Sequence, residues 1–332
     1  MKDKVLHTTS FKVQKYSPQD KLLWSNFLRT AKNSSFLFER NFMEYHSHKF
    51  QDHSLLIFKN DKVVALLPAN ISENKLYSHQ GLSYGGLILN SKTKLKEVAQ
   101  IFEAILFQLH FEGVSILQLK LLPKIYPSIP ADELEYLLFI TKAKLIRADV
   151  LSVIDLRNPI KIASNRMEGV KKAQRQELTI RETSDFDAFW NEILIPNLAA
   201  RHQAQPVHSL EEITKLARKF PKNIIQFNVY KDDKIVAGAT IFETDNVAHV
   251  QYISANEDKQ QLGSLDFLFE YLIKERFKKK TYFDFGASNE DQGKKVNAGL
   301  LYWKECFGAR SVVHPFYEVE TENYKKLATV FI

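Results

Sequence analysis

IQFNVYKDDKIVAGATIFETDNVAHVQYISANEDKQQLGSLDFLFEYLIKERFKKKTYFDFGASNEDQGKKVNAGLLYWKECFGAR, residues 225–310, is the stretch around which the rest of the chain is read. Runs 225–230 and 234–243 predict a hairpin across Lys231-Asp232-Asp233, and 247–254 follows Asp245-Asn246 as a third strand. After a polar loop, 256–262, Gly263-Ser264 opens an amphipathic helix in which Leu265, Leu268, Phe269, Leu272 and Ile273 recur at helical spacing. Beyond the basic run Lys278-Lys279-Lys280 come a short strand, 282–285, a loop, 286–297, and a helix carrying Tyr302-Trp303-Lys304-Glu305-Cys306-Phe307-Gly308.

The junction Gln260-Gln261-Leu262-Gly263-Ser264 is the chemically suggestive point of this order. The first amides of a helix have no intrahelical partner and carry part of the helix dipole, so a small-residue start leaves donors for a phosphate or carboxylate. The same glycine equally serves a tight entry into an ordinary helix.

Composition sets the class. At 332 residues the chain has ample material for two domains. With 45% apolar and 26% charged residues it is a folded globular protein, not a disordered or collagen-like one. The net charge of +7 is spread along the chain; it suits anionic ligands such as phosphates, a nucleotide-linked sugar or tRNA without requiring them, and nothing in it points to DNA. One cysteine, Cys306, excludes a disulfide framework and reads as core. The N-terminal residues lack a signal peptide's apolar segment, and no apolar run approaches the ~20 residues a bilayer needs, so a cytoplasmic location is expected, with peripheral contact at the inner membrane face as the only membrane role.

Taken in order, the chain predicts strand 11–16, helix 18–31 with Ser17 as cap and Pro18 first, helix 39–49, strands 54–59, 62–71 and 75–80, helix 95–111, strand 115–121, helix 132–143 and strand 148–156. The second half repeats this: strand 178–182, helices 186–198 and 210–220, the stretch quoted above, and strand 312–319. Asn60-Asp61-Lys62-Val63-Val64-Ala65 aligns with Asp232-Asp233-Lys234-Ile235-Val236-Ala237. The reading is therefore a duplicated α/β unit with mixed sheets, residues 1–157 and 158–332. Between the copies a basic helical patch carries Arg166, Lys171, Lys172 and Arg175, either a solvated face or a clamp for an anionic group.

Four features in order resemble the Fem-type peptidoglycan-bridge aminoacyltransferases and their GNAT-superfamily N-acyltransferase relatives. They are the tandem units, the loop Gly81-Leu82-Ser83-Tyr84-Gly85-Gly86, the basic helix, and Asp284-Phe285-Gly286 followed by Trp303-Lys304-Glu305-Cys306-Phe307-Gly308. The resemblance implies two tandem GNAT-like units, acceptor side first and donor side second, and acyl transfer to an amine of a small-molecule, lipid-linked or sugar-linked acceptor. It implies acyl-CoA, such as acetyl-CoA, as co-substrate, and aminoacyl-tRNA as the alternative donor; the second unit lacks the long charged heptad arm of Fem enzymes, which favours acyl-CoA. A duplicated scaffold without catalysis is the third reading. By the same resemblance, Gln261, Leu262, Gly263, Ser264 and Asn289 hold the donor with the backbone of Ile253, Ser254 and Ala255, whose amides face the oxyanion. Tyr84, Gly85, Gly86, Arg166, Lys171, Arg175 and Lys304 bind substrate.

An amine nucleophile of pKa about 10 must lose a proton before attack. Tyr252, His249, Glu243, Asp266 and Asp284 are the residues weighed for that task, with Tyr252, His249 and Asp284 retained. Three residues apart on one strand, His249 and Tyr252 are expected on opposite faces. Asp284, with Phe283 and Phe285 facing away from it, is expected to meet Lys304, as a structural pair or a substrate-positioning one. His46, His48 and His53 near Glu44 fit no closed zinc spacing, and no metal is expected.

Overall fold

The computed structural model describes residues 10–332. Two compact units form: one holds the residues up to Ala148 together with His314–Ile332, the other Asp149–Val313. This differs from a cut between residues 157 and 158. The changeover falls inside two long strands, Lys144–Asp155 and Arg310–Glu320, each of which gives one end to each unit.

In the first unit, strand β1 (Lys12–Lys15) leads to a capped turn at Ser17, where the Asp20 carboxylate accepts from the Ser17 amide at 2.9 Å. Helix α1 (Lys21–Leu28) follows and buries Trp24, Phe27 and Leu28. The expected helix 39–49 is shorter and tighter, an α-turn at Arg40–Met43 running into a 3₁₀ turn at Glu44–His46. Strands β2 (Leu55–Lys59) and β3 (Lys62–Leu67) are joined by Asn60-Asp61, both at positive φ as a two-residue hairpin requires. The predicted strand 62–71 is broken at Pro68, which has no amide for a ladder. Strand β4 (Lys75–Ser78), helix α2 (Leu95–Phe111), strand β5 (Ile116–Lys120) and helix α3 (Glu133–Ile140) complete this unit's main elements, and β4 runs parallel to β5. Apolar residues of α2 and α3 close the core against these strands.

The second unit opens with the end of β6 (Lys144–Asp155) and contains α4 (Ser164–Arg175), β7 (Thr179–Thr183), α5 (Ile195–His202, entered through a π-helical turn at Phe189–Leu194) and α6 (Leu210–Lys219). Then come β8 (Ile224–Lys231), β9 (Lys234–Glu243), β10 (Val247–Ala255), α7 (Ser264–Tyr271), β11 (Tyr282–Ala287), α8 (Ala298–Glu305) and β12 (Arg310–Glu320). The strand order is β7-β8-β9-β10-β11-β6, antiparallel except for the parallel pair β10–β11.

One face of this sheet is apolar. Phe227, Ala239, Val250, Phe283 and Phe285 pack there with Ala173 of α4 and with Leu268, Phe269 and Phe307. The other face carries Gln226, Asn228 and Thr240, all buried and joined by hydrogen bonds: Thr240 Oγ1 donates to Gln226 Oε1 at 2.6 Å, and Gln226 Nε2 donates to Asn228 Oδ1 at 2.8 Å. Trp190 covers that face beside Tyr252. Buried polar groups of this kind persist only when paired, as these are.

Candidate active site

Among the described residues the one parallel strand pairing within the second unit is short. β10 and β11 pair at Val247 with Tyr282, Ala248 with Phe283 and His249 with Asp284, and then separate. On its other side β10 stays paired with β9 as far as Ala255. What parts the strands is legible in the residues of β11. Gly286 adopts φ +71°, a left-handed conformation that costs a residue with a Cβ but not glycine, and the chain turns aside. The Asp284 carboxylate, 1% exposed, holds the corner: Oδ1 accepts from the Gly286 amide at 2.7 Å and Oδ2 from His249 Nδ1 at 2.8 Å.

Lys304, 3% exposed, ties down the far side of the same corner by donating to the carbonyls of Gly286 at 3.0 Å and Ala287 at 2.9 Å. Burial pulls its ammonium down to about 8, against a smaller opposing pull from the Asp284 charge. Asp284 and Lys304 thus meet through the turn that both brace, with His249 and the Gly286 amide on the carboxylate.

A second irregularity lies in β10 itself. Val250 pairs with Ile241 and Tyr252 with Thr240, so Gln251 is an extra residue, a β-bulge. The expectation that His249 and Tyr252 face opposite sides is corrected by it. The bulge resets the alternation, His249 pairs with Phe242, and the rings of Phe242 and Tyr252 both reach His208, so His249 and Tyr252 share one face. Tyr252 is 9% exposed; its hydroxyl accepts from the His208 amide at 3.1 Å and lies 2.6 Å from His208 Nδ1. Burial pushes its phenol up to about 12.

Where the strands have parted, a cavity of about 850 Å³ opens. Ile253, Ser254 and Ala255 of β10 line it. Asn197 of α5 steadies this end by donating to Ser254 Oγ at 2.8 Å and to the Ala255 carbonyl. The rest of the lining mixes apolar side chains, Leu194, Leu198, Leu265, Leu300 and Trp303, with polar and charged ones, Arg166, Glu168 and Lys172 of α4 together with Lys259, Gln260 and Asp266.

Several expected donor residues lie outside this cavity. Gly263 takes φ +68°, its amide donates to the Lys259 carbonyl at 2.9 Å, and a Cβ on it would stand 2.1 Å from the Gly169 carbonyl of α4. The helix start that was to be open is thus closed by a neighbouring helix, and Ser264 is fully buried. Gln261, Leu262 and Ser264 do not line the cavity; Gln260, Leu265 and Asp266 do. Asn289 braces the backbone instead, accepting from the Val150 amide at 2.7 Å and donating to the Gly293 carbonyl at 3.1 Å.

Of the cations expected to bind substrate, Arg166 lines the cavity, whereas Lys171 and Arg175 are exposed outside it and Lys304 is held at the β11 corner. Glu243 pairs with Lys280 and Arg276, away from the cavity. In the first unit Tyr84, Gly85 and Gly86 are interior. The Tyr84 hydroxyl lies 2.7 Å from Ser35 Oγ, the Gly85 amide donates to the Lys120 carbonyl at 2.7 Å, and a Cβ on Gly85 would overlap the Ser78 carbonyl. The loop packs where β4 ends, so those glycines serve close backbone approach within the protein.

Sequence reasoning missed Leu194, Asn197 and Leu198, which lie at i, i+3, i+4 across the start of α5. It also missed Asn165 and Gly169 on α4, one helical turn apart, where a single glycine amid charges marked a helix face packed closely on a partner.

No protein-family model matches the sequence, and no curated protein matches it. Solved structures do match in fold. The crystal structure of FemX superposes with a TM-score of 0.64 at 10% identity, covering 95% of this chain and 99% of that one. The C-terminal domain of a putative lysylphosphatidylglycerol synthetase from Agrobacterium fabrum gives 0.57 at 13% identity, covering 94% and 95%. L-PGS from Bacillus licheniformis gives 0.57 at 11% identity, covering 94% of each. The chain shares the α/β fold of these three structures.

Proposed function

We propose that the second unit transfers an acyl group from an activated ester or thioester to an amine, with the acyl carbonyl lying along the unpaired edge of β10. The observation that carries this is the parting of β10 from β11 after His249 and Asp284, beside a cavity lined by Ile253, Ser254 and Ala255. A strand edge without a partner offers fixed amides, and donors fixed before the reaction stabilise a developing oxyanion strongly, typically by a hundredfold or more in rate per donor.

The chemistry needs one further group. The amine nitrogen attacks the carbonyl carbon, its proton passes to a base, and the carbon–sulfur or carbon–oxygen bond breaks as the leaving group takes a proton. His249, which sits at the last paired position before the strands part and outside the cavity lining, is the proposed proton acceptor, oriented through Nδ1 by the buried Asp284 in the manner of a base held by a carboxylate. Tyr252, its hydroxyl engaged by His208, braces the bulge rather than reaching the donor.

The mixed lining supports a donor that has both an apolar segment, for which Leu198, Leu300 and Trp303 are available, and an anionic carrier, for which Arg166, Lys172 and Lys259 are available. An acyl-CoA thioester has these properties. An aminoacyl ester on tRNA is the second reading, favoured by the closed start of α7, which leaves no open amide nest for a diphosphate at Gly263. The acceptor is an amine; the lipid-linked and sugar-linked classes expected from the sequence remain its candidates, and a cytoplasmic site of action goes with either donor. No helix among the described residues is long and apolar enough to cross a membrane.

The test uses Gly299. A Cβ there meets only Asn297 Oδ1, at 3.7 Å, so Gly299→Trp projects bulk into the cavity without disturbing the fold. Against a panel of acyl thioesters and aminoacyl esters with amine acceptors, the wild type forms amide product and Gly299→Trp loses at least a hundredfold in rate at unchanged melting temperature. Equal rates in the two proteins would remove the assignment.

A further inference from the structure

Ser254 stands on the cavity wall, at the end of β10 that has no β11 partner. On its other side it pairs with Gly238 of β9. A glycine opposite leaves no cross-strand side chain to engage the serine, and Phe189 packs where a Cβ on Gly238 would lie. Asn197 of α5 does engage it: Nδ2 donates to Ser254 Oγ at 2.8 Å and also to the Ala255 carbonyl. The second bond fixes which end of the amide is nitrogen, because a carbonyl is faced by a donor. An amide nitrogen gives hydrogens and takes none, so the Ser254 hydroxyl accepts from Asn197 and keeps its own hydrogen. No acceptor for that hydrogen is found among the described residues, and a molecule in the cavity can supply one.

We infer that Ser254 Oγ donates this hydrogen to the oxygen of the acyl carbonyl as the amine adds, with Asn197 as the residue that positions it. The inference rests on the reading of this cavity as the acyl groove. Edge amides of a strand lie in the plane of the sheet, whereas a side chain stands out of that plane, here toward α5. The hydroxyl therefore reaches the carbonyl oxygen from a direction the backbone does not supply. As the nitrogen–carbon bond forms, the carbonyl π pair moves onto oxygen. The hydroxyl hydrogen bonds to that oxyanion and stays on Ser254, and the pair returns to the double bond when the leaving group departs. A donor held in place before the reaction, with no competing acceptor, stabilises such a charge without reorganising.

The probe is an acetyl N-acetylcysteamine thioester, isotope-labelled at its acyl carbonyl and followed by infrared difference spectroscopy with the wild type, Ser254→Ala, Ser254→Thr and Asn197→Asp. Hydrogen bonding weakens the carbonyl bond, so binding to the wild type should lower its stretching frequency. Ser254→Ala should lose at least half of that shift, and Ser254→Thr, which restores a hydroxyl, should keep it. Asn197→Asp offers a carboxylate that takes the serine hydrogen, so it should behave as Ser254→Ala does although the serine is intact. In the acyl-transfer panel Ser254→Ala and Asn197→Asp should each lose at least tenfold in kcat with KM within threefold of the wild type, as for an interaction made in the transition state. A hydroxyl that only braced α5 would lower the melting temperature and leave the carbonyl band alone. Equal shifts in the wild type and Ser254→Ala, or a loss confined to KM, overturn the inference. Gly299→Trp separates this from the parent reading: if it abolishes the shifted band while Ser254→Ala matches the wild type, the groove stands and only the role of Ser254 falls. If the wild type leaves the band at its free position, or Gly299→Trp changes nothing, the groove assignment falls and the inference with it.

Discussion

Replacing Lys304 with methionine should change not only how stable the protein is but how its stability responds to pH. The ammonium is buried and its folded pKa is about 8, against 10.5 for an ordinary lysine. Below pH 8 both folded and unfolded chains hold the proton, and the linkage is flat. From pH 8 to 10.5 the unfolded chain binds a proton that the folded chain has released, so stability rises with pH across that window. At about 1.36 kcal/mol per pH unit, the span from about 8 to 10.5 amounts to about 3 kcal/mol. Lys304→Met has no such proton to lose. Urea denaturation of both proteins at intervals from pH 7 to 10.5 gives the difference in unfolding free energy, wild type minus variant. That difference should be constant up to about pH 8 and then climb by about 3 kcal/mol. A difference that stays level, or falls, would refute the claim that Lys304 is buried as a charge on the Gly286 and Ala287 carbonyls.

Other substitutions probe the same corner. Gly286→Ala forces a Cβ into the left-handed region and to 3.3 Å from His249 Cε1, so it should cost about 1–2 kcal/mol by calorimetry and slow acyl transfer by moving the β11 turn. Tyr252→Phe removes the acceptor of the His208 amide, which should cost about 1–2 kcal/mol in denaturant while the transfer rate falls less than tenfold. His249→Gln should lower that rate more than a hundredfold with little change in melting temperature. Gly263→Ala sets a methyl 2.1 Å from the Gly169 carbonyl in an unfavourable φ, so circular dichroism should report a melting temperature several degrees lower or a failure to fold.

The element order was legible because it is written in periodicity. Strands 234–243 and helix 95–111 appear with the bounds their apolar spacing predicted. The apolar facing of Phe283 and Phe285 around a polar Asp284 also followed from a period of two. What periodicity cannot carry is a single inserted residue. Gln251 looks like any strand residue, yet as a bulge it moves Tyr252 to the face of His249, and no alternation rule anticipates that. The closed start of α7 escaped for a related reason. Gly263 and Ser264 read as an open anion site from their own sequence, whereas Gly169, nearly a hundred residues earlier, lets α4 approach and seal it. Likewise Tyr84-Gly85-Gly86 has the composition of a ligand loop, and only the position of the Ser78 and Lys120 carbonyls makes it interior. Local signals gave the elements; contacts between distant segments decided which ends stay open.

The account is tested most directly by placing a nucleophile at the parted end of β10. In Ser254→Cys the introduced thiol lies on the cavity wall, while the native Cys306 is buried. On incubation with an acyl N-acetylcysteamine thioester, mass spectrometry of peptides should find the thiol at position 254 acylated at least tenfold faster than Cys306, and that advantage should vanish when Gly299→Trp is added. Acylation at 254 that is no faster than at Cys306, or that is indifferent to Gly299→Trp, would contradict the claim that the second unit's groove receives an activated acyl group.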